Sequence, residues 1–200
     1  MITLIDYGAG NLTSVRKALT HLGADYVVPE STDAVGRARG VIVPGVGNFA
    51  ATERLVGPWT DAIRAAVDRG TPLLGICVGM QWLFEGSDEA PEVPGFGVMP
   101  GRVQRLRGDS ARGLKVPHVG WNAIAKPRDS RLLAGIEPGA YVYFTHSFAA
   151  PVTTDCVGAT THVDPFAAVV ERDQIFGVQF HPEKSGDAGL QILRNFLSLC

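Results

Sequence analysis

Leu73-Leu74-Gly75-Ile76-Cys77-Val78-Gly79-Met80-Gln81 reads as a fully apolar strand that turns through G-x-C-x-G into a helix expected from Val78 to Phe84. A short run with no polar residue suits a strand covered on both faces, as in a parallel sheet. The glycines two residues either side of Cys77 permit a turn whose backbone segments approach too closely for side chains. This is the cysteine form of a nucleophile elbow. It would project the sulfur into a cleft at the carboxyl end of the sheet, where open α/β sheets bind ligands. A helix N-terminus at that point would also favour thiolate over thiol, through its dipole and free N–H groups.

The same alternation extends toward the N-terminus. Ile2 to Asp6 is an apolar run that ends in the Gly-rich turn Tyr7-Gly8-Ala9-Gly10. Asn11 is the expected N-cap of a helix through Leu22, with Leu12, Val15, Leu19 and Leu22 on one face and Gly23 as its stop. Tyr26-Val27-Val28 and Val41-Ile42-Val43 read as short buried strands, and a helix runs from near Trp59 to Arg69. From Gly95 to Gln179 the chain changes to short β-type runs: Val98 to Val103, Tyr141 to Thr145, Phe166 to Val170 and Ile175 to Phe180. A helix from Gly186 to Leu199 closes it. The expected fold is α/β, a mostly parallel sheet flanked by helices with an added, partly antiparallel small sheet. Residues 1–200 suit a single domain.

Composition removes several classes of function. With 46% hydrophobic and 19% charged residues, the chain is not globally disordered. A formal net charge of -2 and scattered Lys and Arg leave no footprint for nucleic acid, and no polybasic segment for a membrane surface. No apolar run approaches the length of a membrane span, and Met1 to Asp6 lacks the basic start of a targeting segment. Cys77, Cys156 and Cys200 are odd in number and widely spaced, so neither a disulfide framework nor a metal site is expected, and a reducing cytoplasm is the expected compartment. No cofactor is expected, and no phosphate-binding loop is present.

Of five histidines, His181 has the most informative setting. It follows the Ile175–Phe180 strand, is held by Pro182, and has Glu183 two residues on. In extended backbone, residues i and i+2 point to the same side. The carboxylate can then hold one ring nitrogen while the other faces a thiol, fixing the tautomer as the acid does in serine hydrolases. His21 and His162 offer nothing specific. Acyl transfer also needs donors for an oxyanion. The N–H of Val78 is one, and the turn Pro44-Gly45-Val46-Gly47, through Val46, is placed to supply another from backbone.

Three segments, Pro44 to Gly47, Gly75 to Gln81 and Gly177-Val178-Gln179-Phe180-His181-Pro182-Glu183-Lys184-Ser185, together resemble the class I glutamine amidotransferases. The resemblance implies hydrolysis of the L-glutamine side-chain amide through a γ-glutamyl thioester on Cys77. His181 would be base and acid, with Glu183 orienting it. It also implies substrate contacts from Gly45, Gln81 and Glu89, with the backbone around His146 and Ser147 as the opposite wall. A narrower resemblance, to stand-alone glutaminases that form a heterodimer with a cyclase (synthase) subunit, rests on four features. These are Asp6 to Asn11, Lys115-Val116-Pro117-His118-Val119-Gly120-Trp121-Asn122, Tyr143 to Phe148, and Met80. It implies that Asn11, His118, Trp121 and Tyr143 lie toward that partner. Phe148 stands where a Tyr is commoner, and so lacks a hydroxyl. The competing expectations are a glutaminase of another synthase, a γ-glutamyl cysteine hydrolase and a catalytically silent binding module. The intact cysteine, histidine and glutamate speak against the last.

Overall fold

The computed structural model describes residues 1–126 and 128–200. The first half runs β1 (Ile2–Leu4), α1 (Leu12–His21), β2 (Tyr26–Val27), β3 (Gly40–Gly45), α2 (Pro58–Asp68), β4 (Leu73–Cys77) and α3 (Val78–Trp82). The second half holds β5 (Gly86–Ser87), β6 (Ala90–Pro94), β7 (Arg102–Arg105), β8 (His118–Ala123), β9 (Tyr141–His146), β10 (Phe148–Ala149), β11 (Cys156–His162), β12 (Asp164–Arg172), β13 (Ile175–Val178) and α4 (Gly186–Leu199). Seven strands form one sheet in the order β11-β12-β13-β4-β3-β1-β2. β13, β4, β3, β1 and β2 are parallel, while β12 and β11 continue the sheet antiparallel.

Side chains alternate across this sheet with a period of two, and each face meets helices. On one face Leu4, Ile42, Leu74, Phe176 and Val178 pack in a cluster with Val15 and Leu19 of α1 and with Ile192, Leu193 and Phe196 of α4. On the other, Ile5, Val41, Val43, Leu73 and Ile175 pack with Ile63 and Ala66 of α2 and with Met80 and Trp82 of α3. Burying each large apolar side chain contributes roughly 1.5–3 kcal/mol. That coverage is why the apolar strands carry no polar alternation.

The strands expected after Gly95 divide between three sheets. β12 and β13 join the main sheet, β7 and β10 belong to a four-stranded sheet ordered β10-β7-β5-β6, and β8 pairs with β9 alone. Several boundaries also differ. The Val98–Val103 run begins as a strand only at Arg102, because Pro100 and Gly101 (φ +97°) break it. α3 ends at Trp82, two residues before the expected Phe84. β2 is half-buried rather than buried, because it is the sheet's edge. Asn11 does precede α1, but its side chain donates to Ser14 Oγ (2.8 Å) rather than accepting from the helix.

Candidate active site

Cys77 ends β4 with φ +54° and ψ −109°, in the left-handed region that a non-glycine residue seldom occupies. Holding such a conformation costs on the order of 1–3 kcal/mol, so the surroundings must enforce it. They do so by close approach. A Cβ on Gly79 would overlap the carbonyl oxygen of Val43, and one on Gly75 would sit 2.5 Å from the carbonyl oxygen of Gly79. Both glycines are required by their neighbours' backbone. The turn leaves the sulfur beside the end of β3, where Gly45 pairs with Cys77 in register.

β13 lies on the other side of β4, with Val178 opposite Ile76. Two residues further on, the chain leaves the sheet and carries His181 to the elbow. Its N–H donates to the carbonyl of Tyr143 (2.9 Å). Its carbonyl accepts from Ser185 Oγ (2.6 Å), which itself accepts the N–H of Tyr143 (2.9 Å). The backbone of β9 thus clamps the His181 loop. His181 Nδ1 meets Glu183 Oε1 at 2.9 Å, with both side chains 1% exposed. Among the described residues Nε2 has no hydrogen-bond partner of ordinary geometry, yet it lies near enough to the Cys77 sulfur to feel its charge. Burial alone would lower the His181 pKa, but Cys77 and Glu183 outweigh it and raise the value to about 10. Such a ring is an imidazolium when the sulfur is a thiolate. Cys156 and Cys200 have no histidine of this kind beside them among the described residues. Their thiols donate to the carbonyls of Gly158 and Phe196, and burial pushes both pKa values up, that of Cys200 to about 11.

A cleft of ≈ 220 Å³ opens onto the sulfur, lined by Gly47, Cys77, Val78, Gln81, Glu89, Pro117, Thr145, His146, Ser147 and Phe148. Its size suits a small metabolite. Gln81, Glu89, His146 and Ser147, all expected substrate contacts, meet there. Glu89 is anchored by accepting the N–H of Phe49 (2.8 Å). Gln81 donates to the carbonyl of Phe148 (2.9 Å) and to Gln179 Oε1 (3.1 Å). Gly45 lies at the edge of this site rather than along the cleft. A Cβ there would strike the Tyr7 hydroxyl and come within 2.8 Å of Val78 Cβ.

Two of the expected residues are engaged within the chain itself. The Val46 N–H, an expected oxyanion donor, donates to the carbonyl of Ala9 (3.2 Å) and is not free. A peptide plane can turn either way at a glycine-flanked position, and sequence does not disclose which. His118, expected toward a partner, is buried at 6% exposure. Strand alternation turns its ring inward while its neighbours Val119 and Trp121 (55%) face out. Trp121 and Tyr143 do lie together, their rings edge to face at 6.0 Å, and Asn11 stands at the start of α1.

Sequence reasoning passed over three residues. His162 is buried and stacked on His118 (4.4 Å between ring centres), with Nε2 donating to the carbonyl of Lys115 (2.8 Å). Nothing local marked it, because its neighbours are polar. Tyr7 is buried, its hydroxyl unpartnered among the described residues, and its pKa is held well above the usual range by burial and then by the charge of Cys77. Gln179 is fully buried beside the sulfur. Its signal was present in the sequence, as a single amide inside the apolar run Ile175 to Phe180.

Comparison with known proteins agrees with this architecture. The model of the family "Glutamine amidotransferase class-I" matches residues 3–200. The chain is 47% identical over 205 residues to the imidazole glycerol phosphate synthase subunit HisH of Geobacillus thermodenitrificans, covering 100% of this chain and 96% of that one. It is 43% identical to the HisH subunit of Thermococcus kodakarensis, covering 100% of both. Among solved structures, a glutamine amidotransferase superposes with a TM-score of 0.74 at 20% identity over 100% of this chain and 98% of that one. A chain of the PurLQS structure from Thermotoga maritima gives 0.73 at 20% identity, over 98% of this chain and 97% of that one. These two likenesses concern the fold. The family match across almost the whole chain, with full-length relatives above 40% identity, establishes that this protein belongs to the class I glutamine amidotransferases.

Proposed function

We propose that this chain is the glutaminase subunit of an imidazole glycerol phosphate synthase, hydrolysing L-glutamine to glutamate and ammonia and passing the ammonia to a cyclase subunit. The single observation that carries the reading is the elbow cysteine beside His181, whose far nitrogen is held by buried Glu183. In that arrangement the Cys77 thiolate attacks the side-chain amide carbon of glutamine. The carbonyl electrons move to oxygen, and Val78 N–H stands next to the nucleophile as a donor for that oxyanion. His181 gives its Nε2 proton to the departing nitrogen, so the C–N bond breaks and ammonia leaves with a γ-glutamyl thioester on sulfur. His181, now neutral, takes a proton from water as the water attacks the thioester. Glutamate leaves, and the Cys77–His181 ion pair is restored. Glu183 keeps the ring in the required tautomer and stabilises the imidazolium.

The cyclase partnership draws on the relatives' names and on an exposed apolar strip along β8 and β9. Val119, Trp121 and Tyr141 are each more than half exposed there. Exposed aromatic anchors of this kind are frequent centres of protein interfaces. The test is a reconstituted complex of the chain with its cyclase, in parent and Cys77→Ala forms. The variant should lose glutamine-dependent formation of imidazole glycerol phosphate, yet still form it from concentrated ammonium salt at alkaline pH. Loss of both activities in a folded complex would place part of the synthase site on this chain and overturn the division of labour.

A further inference from the structure

We infer that Gln179 is a catalytic residue of this site, donating a side-chain N–H to the Cys77 sulfur and holding it as thiolate, in an orientation dictated by the carbonyl of Phe148. Register explains the placement. Val178 pairs with Ile76 across β13 and β4, so the next residue on each strand, Gln179 and Cys77, are neighbours 102 positions apart in sequence. Gln179 is fully buried, and a buried amide must place its polar atoms on partners. Its Nε2 lies 3.7 Å from Cys77 Sγ, and its Oε1 lies 3.1 Å from Gln81 Nε2.

The orientation of that amide follows from the surrounding network. The Phe148 carbonyl can only accept. Gln81 Nε2 (2.9 Å) and His146 Nδ1 (2.8 Å) both approach it, so both are donors. The second hydrogen of the Gln81 amide points at Gln179, which must present oxygen in reply, leaving its NH2 group to face sulfur. Reversing Gln179 would set two NH2 groups against each other in a dry interior. His146 is tied in from behind. With Nδ1 protonated its Nε2 accepts, taking the Nδ1–H of His118 at 3.1 Å. A donor facing sulfur stabilises S⁻ more than S–H, because hydrogen bonds to charged groups are stronger. α3 has only five residues and offers little helix dipole, so such side-chain donors carry more of the task.

This rests on Cys77 being the nucleophile, and the experiment separates the two. Iodoacetamide alkylation is followed from pH 6 to pH 10 in the full chain carrying Cys156→Ala and Cys200→Ala, which leaves Cys77 as its one thiol. Gln179→Met, of similar length and without the donor, should alkylate about tenfold more slowly at neutral pH and reach the same rate at high pH, where every thiol is ionised. Gln179→Glu, which sets an anion against sulfur, should be slower still at neutral pH. Neutral-pH rates equal to the parent in both variants overturn the inference. So does a uniform slowing at every pH, which would mark a packing role. A parent Cys77 that reacts at neutral pH no faster than a free thiol overturns the nucleophile reading and this inference with it.

Discussion

The backbone N–H of Val46 donates to the carbonyl of Ala9 at 3.2 Å, across two Gly-rich turns that follow neighbouring strands. An amide committed there cannot also receive an oxyanion on Cys77. Ala9 lies two residues before Asn11, in the segment whose resemblance points toward a partner. Docking against that segment is a direct way to release the amide. The lone chain should therefore be a slow glutaminase, accelerated on the order of 100- to 1000-fold when a missing donor is supplied. Steady-state glutamine hydrolysis by the lone chain, by the complex, and by the complex with acceptor nucleotide measures this. Equal rates in all three would remove the amide from any part in control.

The Cys77–His181 contact sets the ionisation of the ring. In the parent, the Hε1 resonance of His181 should titrate near pH 10, so the ring is an imidazolium at neutral pH. Cys77→Ala removes the anion, leaves burial to oppose Glu183, and should move that titration downward. An unchanged titration in the variant would mean that Glu183 alone holds the proton.

The two kinds of glycine at the site predict different costs. Gly79→Ala drives a methyl into the Val43 carbonyl, which is backbone in the centre of the sheet and cannot yield. It should lower Tm by many degrees or prevent folding. Gly47→Ala has open space around it and suffers only from its φ of +91°, a penalty of roughly 1–2 kcal/mol. Thermal melts of the two variants compare them, and similar losses would contradict the close-approach argument.

Two buried rings predict how stability depends on pH. Burial holds the pKa of His118 down to about 4, aided by His162, and that of His146 down to about 3, against the pull of the Phe148 carbonyl. An unfolded histidine takes a proton near pH 6.5. Below that pH the unfolded chain binds protons that the folded chain refuses, so stability is fully present above about pH 6.5 and falls as pH drops toward 4. The slope is at most about 1.4 kcal/mol per pH unit for each ring. Melting temperatures between pH 7.5 and pH 4.5 should show a shallower fall in His118→Gln than in the parent. Identical slopes would mean that His118 takes no part.

What the sequence determined by itself was local. The G-x-C-x-G turn after an apolar strand, the spacing of His181 and Glu183, and the strand–helix alternation of the first half are short-range patterns. Backbone sterics and side-chain periodicity leave them few alternatives. The Gly186–Leu199 helix was legible for the same reason. Tertiary structure alone decided the rest. It set β13 beside β4 rather than in the added sheet, which brings His181 and Gln179 to Cys77 from about a hundred residues away. It turned the rings of His118 and His162 inward, where the resemblance had set the first toward a partner and polar neighbours left the second unmarked. It also directed the Val46 N–H to Ala9 instead of the cleft. Each of these depends on which distant group supplies a hydrogen-bond or packing partner. That choice belongs to strand register and to single peptide planes, and no local pattern of residues encodes it.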